Sequence, residues 1–170
     1  MDRQASCSSE ELLEHLRCAV EEVFHTMLNT VVTLVTPSGE GPAAPALPGI
    51  EPHLVQAEAV VEFHGPRNGA VVLRCSAEGA LDIARGLLML DAGSSVPLAD
   101  VRDAIGECAN MVTGALKTRA FDPYGTFSLG VPRIGTHAAN SGVDRAGQLV
   151  FRMSEGCAAI EIWLEEPSGG

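Results

Sequence analysis

Asp103, Glu107 and Asn110 stand at i, i+4 and i+7 in the stretch Asp103-Ala-Ile-Gly-Glu-Cys-Ala-Asn-Met-Val-Thr-Gly114. At about 100° per residue they share an arc of about 60° on one side of a helix. Val101, Ile105, Cys108, Val112 and Leu116 fall opposite and form an apolar stripe fit for a core. The polar side presents two carboxylates, one amide, and two glycines, Gly106 and Gly114, that leave room for a partner. A solvated helix face is the plain reading of such residues, but three features oppose it. Asn competes with its own backbone inside a helix. Like charges at i, i+4 repel by a few tenths of a kcal/mol, partly offset for Asp103 by its nearness to the helix start. Each mid-helix glycine costs roughly 1 kcal/mol against alanine.

The elements that must position these groups follow from periodicity. Ser8 with Glu11 makes a capping box, and Leu12, Leu16, Ala19, Val23 and Met27 follow at helical spacing, which predicts a helix over about 9–29. Residues 30–36 are β-branched and read as a strand. The stretch 37–52 holds five prolines and reads as an exposed connection. Residues 54–64 and 70–75 flank Arg67-Asn68-Gly69 and predict a hairpin. Ser76 caps a helix carrying Ala80, Leu81, Ala84, Leu87 and Leu88. Pro97 opens the next helix, the one with the polar face, which runs to about Arg119 and stops at Asp122-Pro123. Residues 127–132 read as a strand, and 148–154 with 157–165 as a second hairpin.

That order predicts an α+β fold in one domain over 1–170: a mostly antiparallel sheet with long helices on one side, in pseudo-duplicated helix–strand–hairpin halves. Residues 1–8 and 166–170 are expected to be flexible tails. Hairpins rather than βαβ crossovers dominate, which excludes a Rossmann reading.

The composition narrows the partners. With a formal net charge of -11 and acids spread along the chain, the surface repels phosphate backbones and anionic lipids. Nucleic acid and membrane are therefore not expected as partners, and a folded protein with basic residues is. Hydrophobic content of 46% and mean hydropathy of +0.17 suit a globular chain. No run approaches the ~20 apolar residues that span a bilayer, and the N-terminal residues lack a signal-peptide pattern. The five cysteines are odd in number and scattered, so neither a disulfide framework nor a zinc knuckle is expected. A cytoplasmic protein fits these features.

Other chemistries find little support. The five histidines show no metal-ligand spacing, and no nucleophile elbow, P-loop or H-E-x-x-H motif is present. Gly135-Thr-His-Ala-Ala-Asn-Ser-Gly142 is a poor phosphate loop and reads as a flexible one.

At Asp103, Glu107 and Asn110 the chain resembles the CheC/CheX/FliY family of chemotaxis phosphatases. That family's signature is an Asp or Ser, three residues, a Glu, two residues, an Asn, and a Pro a little over twenty residues on. Pro132 follows Asn110 after 21 residues. The first helix carries no second copy: Glu21 and Glu22 are followed three residues on by Phe24 and His25. A single signature points to the CheX-like branch.

The resemblance implies a protein phosphatase acting on the aspartyl phosphate of a CheY-like response regulator. In that picture Glu107 docks to the regulator's active-site lysine and Asn110 orients the attacking water. Asp103, Gly106 and Gly114 contact the partner, and Pro132 shapes a strand. The chain needs no cofactor of its own; Mg2+ belongs to the regulator. Homodimerisation is compatible with the resemblance, although the sequence carries no coiled-coil seam. Two other functions compete: a non-catalytic regulator-binding or scaffold module of the same fold, and a small-molecule enzyme, which would need an enclosed pocket.

Overall fold

The computed structural model describes residues 7–35, 57–135 and 143–165. The proline-rich stretch 37–52, residues 1–6 and 166–170 of the expected tails, and residues 136–142 of the expected loop lie outside these. The helix α1 (Ser9–Met27) begins at a reciprocal cap. The Glu11 amide donates to the Ser8 hydroxyl at 3.2 Å, and the Ser8 amide donates to the Glu11 carboxylate at 2.9 Å. Leu12, Leu16, Ala19, Val20, Val23 and Phe24 are buried. Met27 departs from expectation and is exposed, because Leu28 takes the last buried position. Asn29 then adopts a left-handed φ of 49°, a conformation its short amide tolerates, and the chain enters β1 (Thr33–Val35), shorter than expected.

The hairpin β2 (Ala57–His64) and β3 (Gly69–Cys75) leads into α2 (Ala77–Leu87). Next comes α3 (Leu98–Leu116), which continues as a π-helical turn, Lys117–Phe121, and a 3-10 turn, Asp122–Tyr124. The strand expected over 127–132 is two short pieces, β4 (Ser128–Leu129) and β5 (Arg133–Ile134), both antiparallel to β2. Pro132 lies in the gap. It has no amide hydrogen to offer the ladder, so continuous pairing fails there. The second hairpin is β6 (Val143–Arg152) and β7 (Cys157–Glu165). β6 starts earlier than expected and carries a bulge between Arg145 and Gly147.

The seven strands form one antiparallel sheet in the order β1-β6-β7-β3-β2-β4, with β5 also on β2. The expected α+β class is therefore observed. Side chains alternate across the sheet. Ala59, Val61 and Phe63 of β2, Val71 and Leu73 of β3, and Ile160 and Ile162 of β7 join the helices in one core. Phe24 of α1 meets Phe151 of β6 edge-on, with ring centroids 5.0 Å apart.

The opposite face is held by charge. Arg74 donates to Glu58 at 2.7 Å and to Glu161 at 2.8 Å. Glu161, with no exposed surface, also accepts from Gln148 at 3.0 Å and from the Trp163 indole at 2.9 Å. These partners come from β2, β3, β6 and β7, so a register slip in any of them would strand a buried charge.

Glycine is obligatory where β3 starts. A Cβ on Gly69 would lie 2.2 Å from the Trp163 carbonyl oxygen and 2.5 Å from the Phe63 ring. Gly69→Ala is expected to destabilise the protein by about 1–3 kcal/mol, the usual range for overpacking. Chemical denaturation should show a lower midpoint at unchanged slope.

Candidate functional site

α3 is fixed on several sides. Pro97 is its N-cap, without a side-chain cap bond. The helix packs on β2 and β3 and against both α1 and α2. Val101, Ile105, Cys108, Val112 and Leu116 are buried as expected, and Ala104, Ala109 and Thr113 join them. The Thr113 hydroxyl is satisfied by the Ala109 carbonyl at 2.6 Å. The C-terminal end is pinned by three rings. Phe121 lies 4.8 Å from Phe63 of β2 and 5.2 Å from Phe127, centroid to centroid. Arg119 pairs with Glu22 of α1, and Lys117 with Asp122 at 2.8 Å.

The first turn, with Leu98, Ala99, Asp100 and Arg102, is exposed, and beyond it what remains open is a narrow stripe. Asp103 and Glu107 are exposed, and Asn110 and Gly114 are half-buried. The four fall within about 60° of arc, and Asp103 to Asn110 spans about 10 Å along the axis. Among the described residues, none of the three polar side chains has a hydrogen-bond or ion-pair partner. Most other described glutamates differ: Glu14, Glu21, Glu22, Glu58, Glu62, Glu155 and Glu161 all hold arginines. An unpaired acid and an unpaired amide, one turn apart on a rigid rod, can receive a cation and a water without breaking any bond within the chain.

The two glycines part company. Around Gly114 nothing lies within 4 Å of a hypothetical Cβ, so its clearance opens to the outside. Gly106 is buried, and its missing side chain faces Ile134 at 3.4 Å and Pro132 at 3.6 Å. Its clearance therefore seats this chain's own β5 segment rather than a partner. Pro132 earns a place in the pattern for the same reason: it closes over the helix at Gly106, one turn before Asn110.

Asp100 also lies on the exposed arc, three residues before Asp103, and half-buried Met111 borders it. The motif spacing passes over both. A helical projection started at Leu98 would have found them.

The rest of the described chain offers no competing centre. No group of His, Cys, Asp and Glu among the described residues could hold a metal. All five cysteines are free thiols. Burial pushes Cys108 up to about 12 and Cys75 well above the ordinary range, so neither supplies a thiolate nucleophile. Among the described residues no helix is long and apolar enough to cross a membrane.

An antiparallel sheet backed by helices, with an acid–amide stripe turned outward, places the molecule in the CheC/CheX-like class. The description of the chemotaxis phosphatase CheX matches residues 58–158, which include every residue of the stripe. The chain belongs to that family. Solved structures share its fold. The chemotaxis protein CheX from Desulfovibrio desulfuricans superposes with a TM-score of 0.67 at 21% identity, covering 91% of this chain and 99% of its own. CheX from Vibrio vulnificus gives 0.67 at 20% identity, covering 97% and 100%. CheX in a complex with CheY, BeF3 and Mg2+ from Borrelia burgdorferi gives 0.63 at 15% identity, covering 91% and 98%. No curated protein matches the sequence.

Gly114→Ala tests whether the open glycine serves the fold. With no atom for the methyl to meet and a better helix former in place, the variant should gain about 1 kcal/mol. Its thermal midpoint should rise by about 2–4 °C, read by calorimetry.

Proposed function

We propose that this protein hydrolyses the aspartyl phosphate of a CheY-like response regulator, through Asn110, after docking through Glu107. The observation that carries the reading is the unpaired, outward Glu107–Asn110 pair on a helix immobilised from behind. Membership of a chemotaxis phosphatase family supports it. So does the relative from Borrelia burgdorferi, whose structure is a complex with CheY, BeF3 and Mg2+. An exposed stripe speaks against the small-molecule enzyme.

The chemistry asks little of the phosphatase and much of geometry. Glu107 pairs with the lysine beside the regulator's phosphorylated aspartate, which sets the register of docking. About one turn along, the Asn110 amide accepts from and donates to a water. The water oxygen attacks phosphorus, the bond from phosphorus to the aspartyl oxygen breaks, and the carboxylate leaves. The water's proton passes to the departing phosphate. A loose transition state makes no demand for a strong base, so orienting the water is the main task. An amide suits it, because a carboxylate at the same point would repel the phosphoryl oxygens. The Mg2+ is held by the regulator and neutralises the phosphoryl charge. Asp103 adds acid at the rim for basic residues of the regulator, and Gly114 lets its backbone approach.

The test is phosphate release from a receiver domain phosphorylated by a small phosphodonor in Mg2+. The protein should accelerate release. Asn110→Ala should cut the rate about 100-fold with affinity largely kept. Glu107→Ala should instead lose about 2 kcal/mol or more of binding by titration calorimetry. Binding of the phosphorylated receiver with unaltered phosphate release would establish the scaffold role in place of the phosphatase.

A further inference from the structure

The Glu107–Asn110 pair has an apolar neighbour on each side. A step of four residues turns a helix by about 40°. Met111 therefore lies about 40° beyond Glu107, and Gly106 about 40° beyond Asn110 in the opposite direction. Met111 is half-buried and packs against the core. Gly106 has no side chain, and the chain segment at Pro132 takes its place, with the Pro132 Cβ 3.6 Å from where a Cβ would stand.

That segment contains a bulge. Leu129 stands opposite Phe63 and Arg133 opposite Val60, so residues 130–132 face only Val61 and Glu62. The Gly130 amide donates to the Glu62 carbonyl at 2.8 Å, which leaves Val131 and Pro132 against Val61. Pro132 rests on α3 at Gly106, and Val131 is the residue put out, 84% exposed. The far end is anchored too: Arg133 pairs with Glu62, and the Gly135 amide donates to the Glu58 carbonyl at 3.0 Å. A bulge re-aims a side chain, and bulges concentrate beside functional sites. The steps from Asn110 to Gly106, to Pro132 and to Val131 place the Val131 Cα at most about 15 Å from the Asn110 Cβ. A standard interface of about 800 Å² per partner reaches about 16 Å from its centre. A partner seated on Asn110 therefore covers Val131 on one side and Met111 on the other.

The docking assigned to Glu107 needs such neighbours. An ion pair left in water changes affinity by about fivefold or less, because solvent and salt screen it. A loss of about thirtyfold on removing Glu107 demands a pair that is desolvated. Groups that ring a central contact and exclude water from it supply that condition.

We propose that Met111 and Val131 form an apolar border that meets the receiver domain on both sides of the Glu107–Asn110 pair and keeps water from the ion pair between Glu107 and the receiver's lysine. The inference rests on the function proposed above and deepens it. It requires a receiver surface that is basic at its centre and apolar at two points flanking that centre.

The experiment titrates the full-length protein with a receiver domain loaded with beryllofluoride and Mg2+, a stable mimic of the aspartyl phosphate. Wild type, Val131→Ser and Met111→Gln are each compared with and without Glu107→Ala, at about 0.05 M and about 0.5 M NaCl. Val131→Ser, at an exposed position, should melt with the wild type, and its arm alone decides where Met111→Gln lowers the melting temperature. Each border variant should weaken binding about three- to tenfold. In the wild type Glu107→Ala should cost about thirtyfold at both salt concentrations. In a border variant it should cost only about fivefold at low salt and less at high salt, since the pair is then wet. Unchanged affinity in the border variants overturns the border and leaves the phosphatase reading intact. So does a full thirtyfold cost of Glu107→Ala retained in them, because the pair would then be dry without the border. A change of oligomeric state on Val131→Ser in sedimentation, with affinity unchanged, overturns it as well and assigns Val131 to self-association. A wild-type protein that neither binds the receiver nor speeds phosphate release overturns the function itself.

Discussion

The burial of α3, beyond its exposed first turn, on every side but one is the constraint on which the rest of this molecule depends. A helix lying on an open sheet keeps half its circumference in water and can roll. Here α1, α2, β2 and β3 all touch it, and only a strip survives. That strip fixes the azimuth of Glu107 and Asn110 as firmly as a binding pocket would. The ring cluster of Phe63, Phe121 and Phe127 secures the same helix against sliding along its axis. Rigidity of this kind is what a positioning mechanism requires, since misplacing a catalytic group by about 1 Å can cost about 100-fold in rate.

The helix is held only as well as the sheet beneath it. The buried Glu161, shared by Arg74, Gln148 and Trp163, ties the central strands in one register. Such networks are weak contributors to net stability, yet breaking one costs about 3–5 kcal/mol. Their use here is specification: the inward residues of β2, β3 and β7 form the floor that α3 rests on. Gly69 does the same by contact, admitting the β7 backbone where any side chain would exclude it.

Much of this was legible in the residues alone. The capping box at Ser8, the hairpin turn at Asn68-Gly69 and the apolar stripe of α3 each state a local rule that tertiary structure had no reason to override. The spacing of Asp103, Glu107 and Asn110 foretold their common face. Less legible were features decided by distant parts of the chain. Pro132 was readable as a strand residue, but that it splits the strand and lies against Gly106 depends on two segments meeting. Gly106 and Gly114 look alike in sequence; one faces Ile134 and the other open space. The early start of β6 is imposed by pairing with β7, which no local propensity announces.

The positions where local rules are broken without any benefit inside the chain include a group along one face of α3. Gly114 weakens α3 and meets nothing. Asp103 and Glu107 repel one another and, among the described residues, have no arginine, whereas most of the other described glutamates hold one. Each departure alone is small, of order 1 kcal/mol or less. Selection for stability would remove them singly, because each has an easy remedy: alanine for the glycine, lysine for an acid. That they occur together on one face of α3 points to a common reason outside the folded chain. The function proposed for the stripe supplies one: a basic receiver domain seated across α3 would pair the acids and occupy the space that Gly114 leaves.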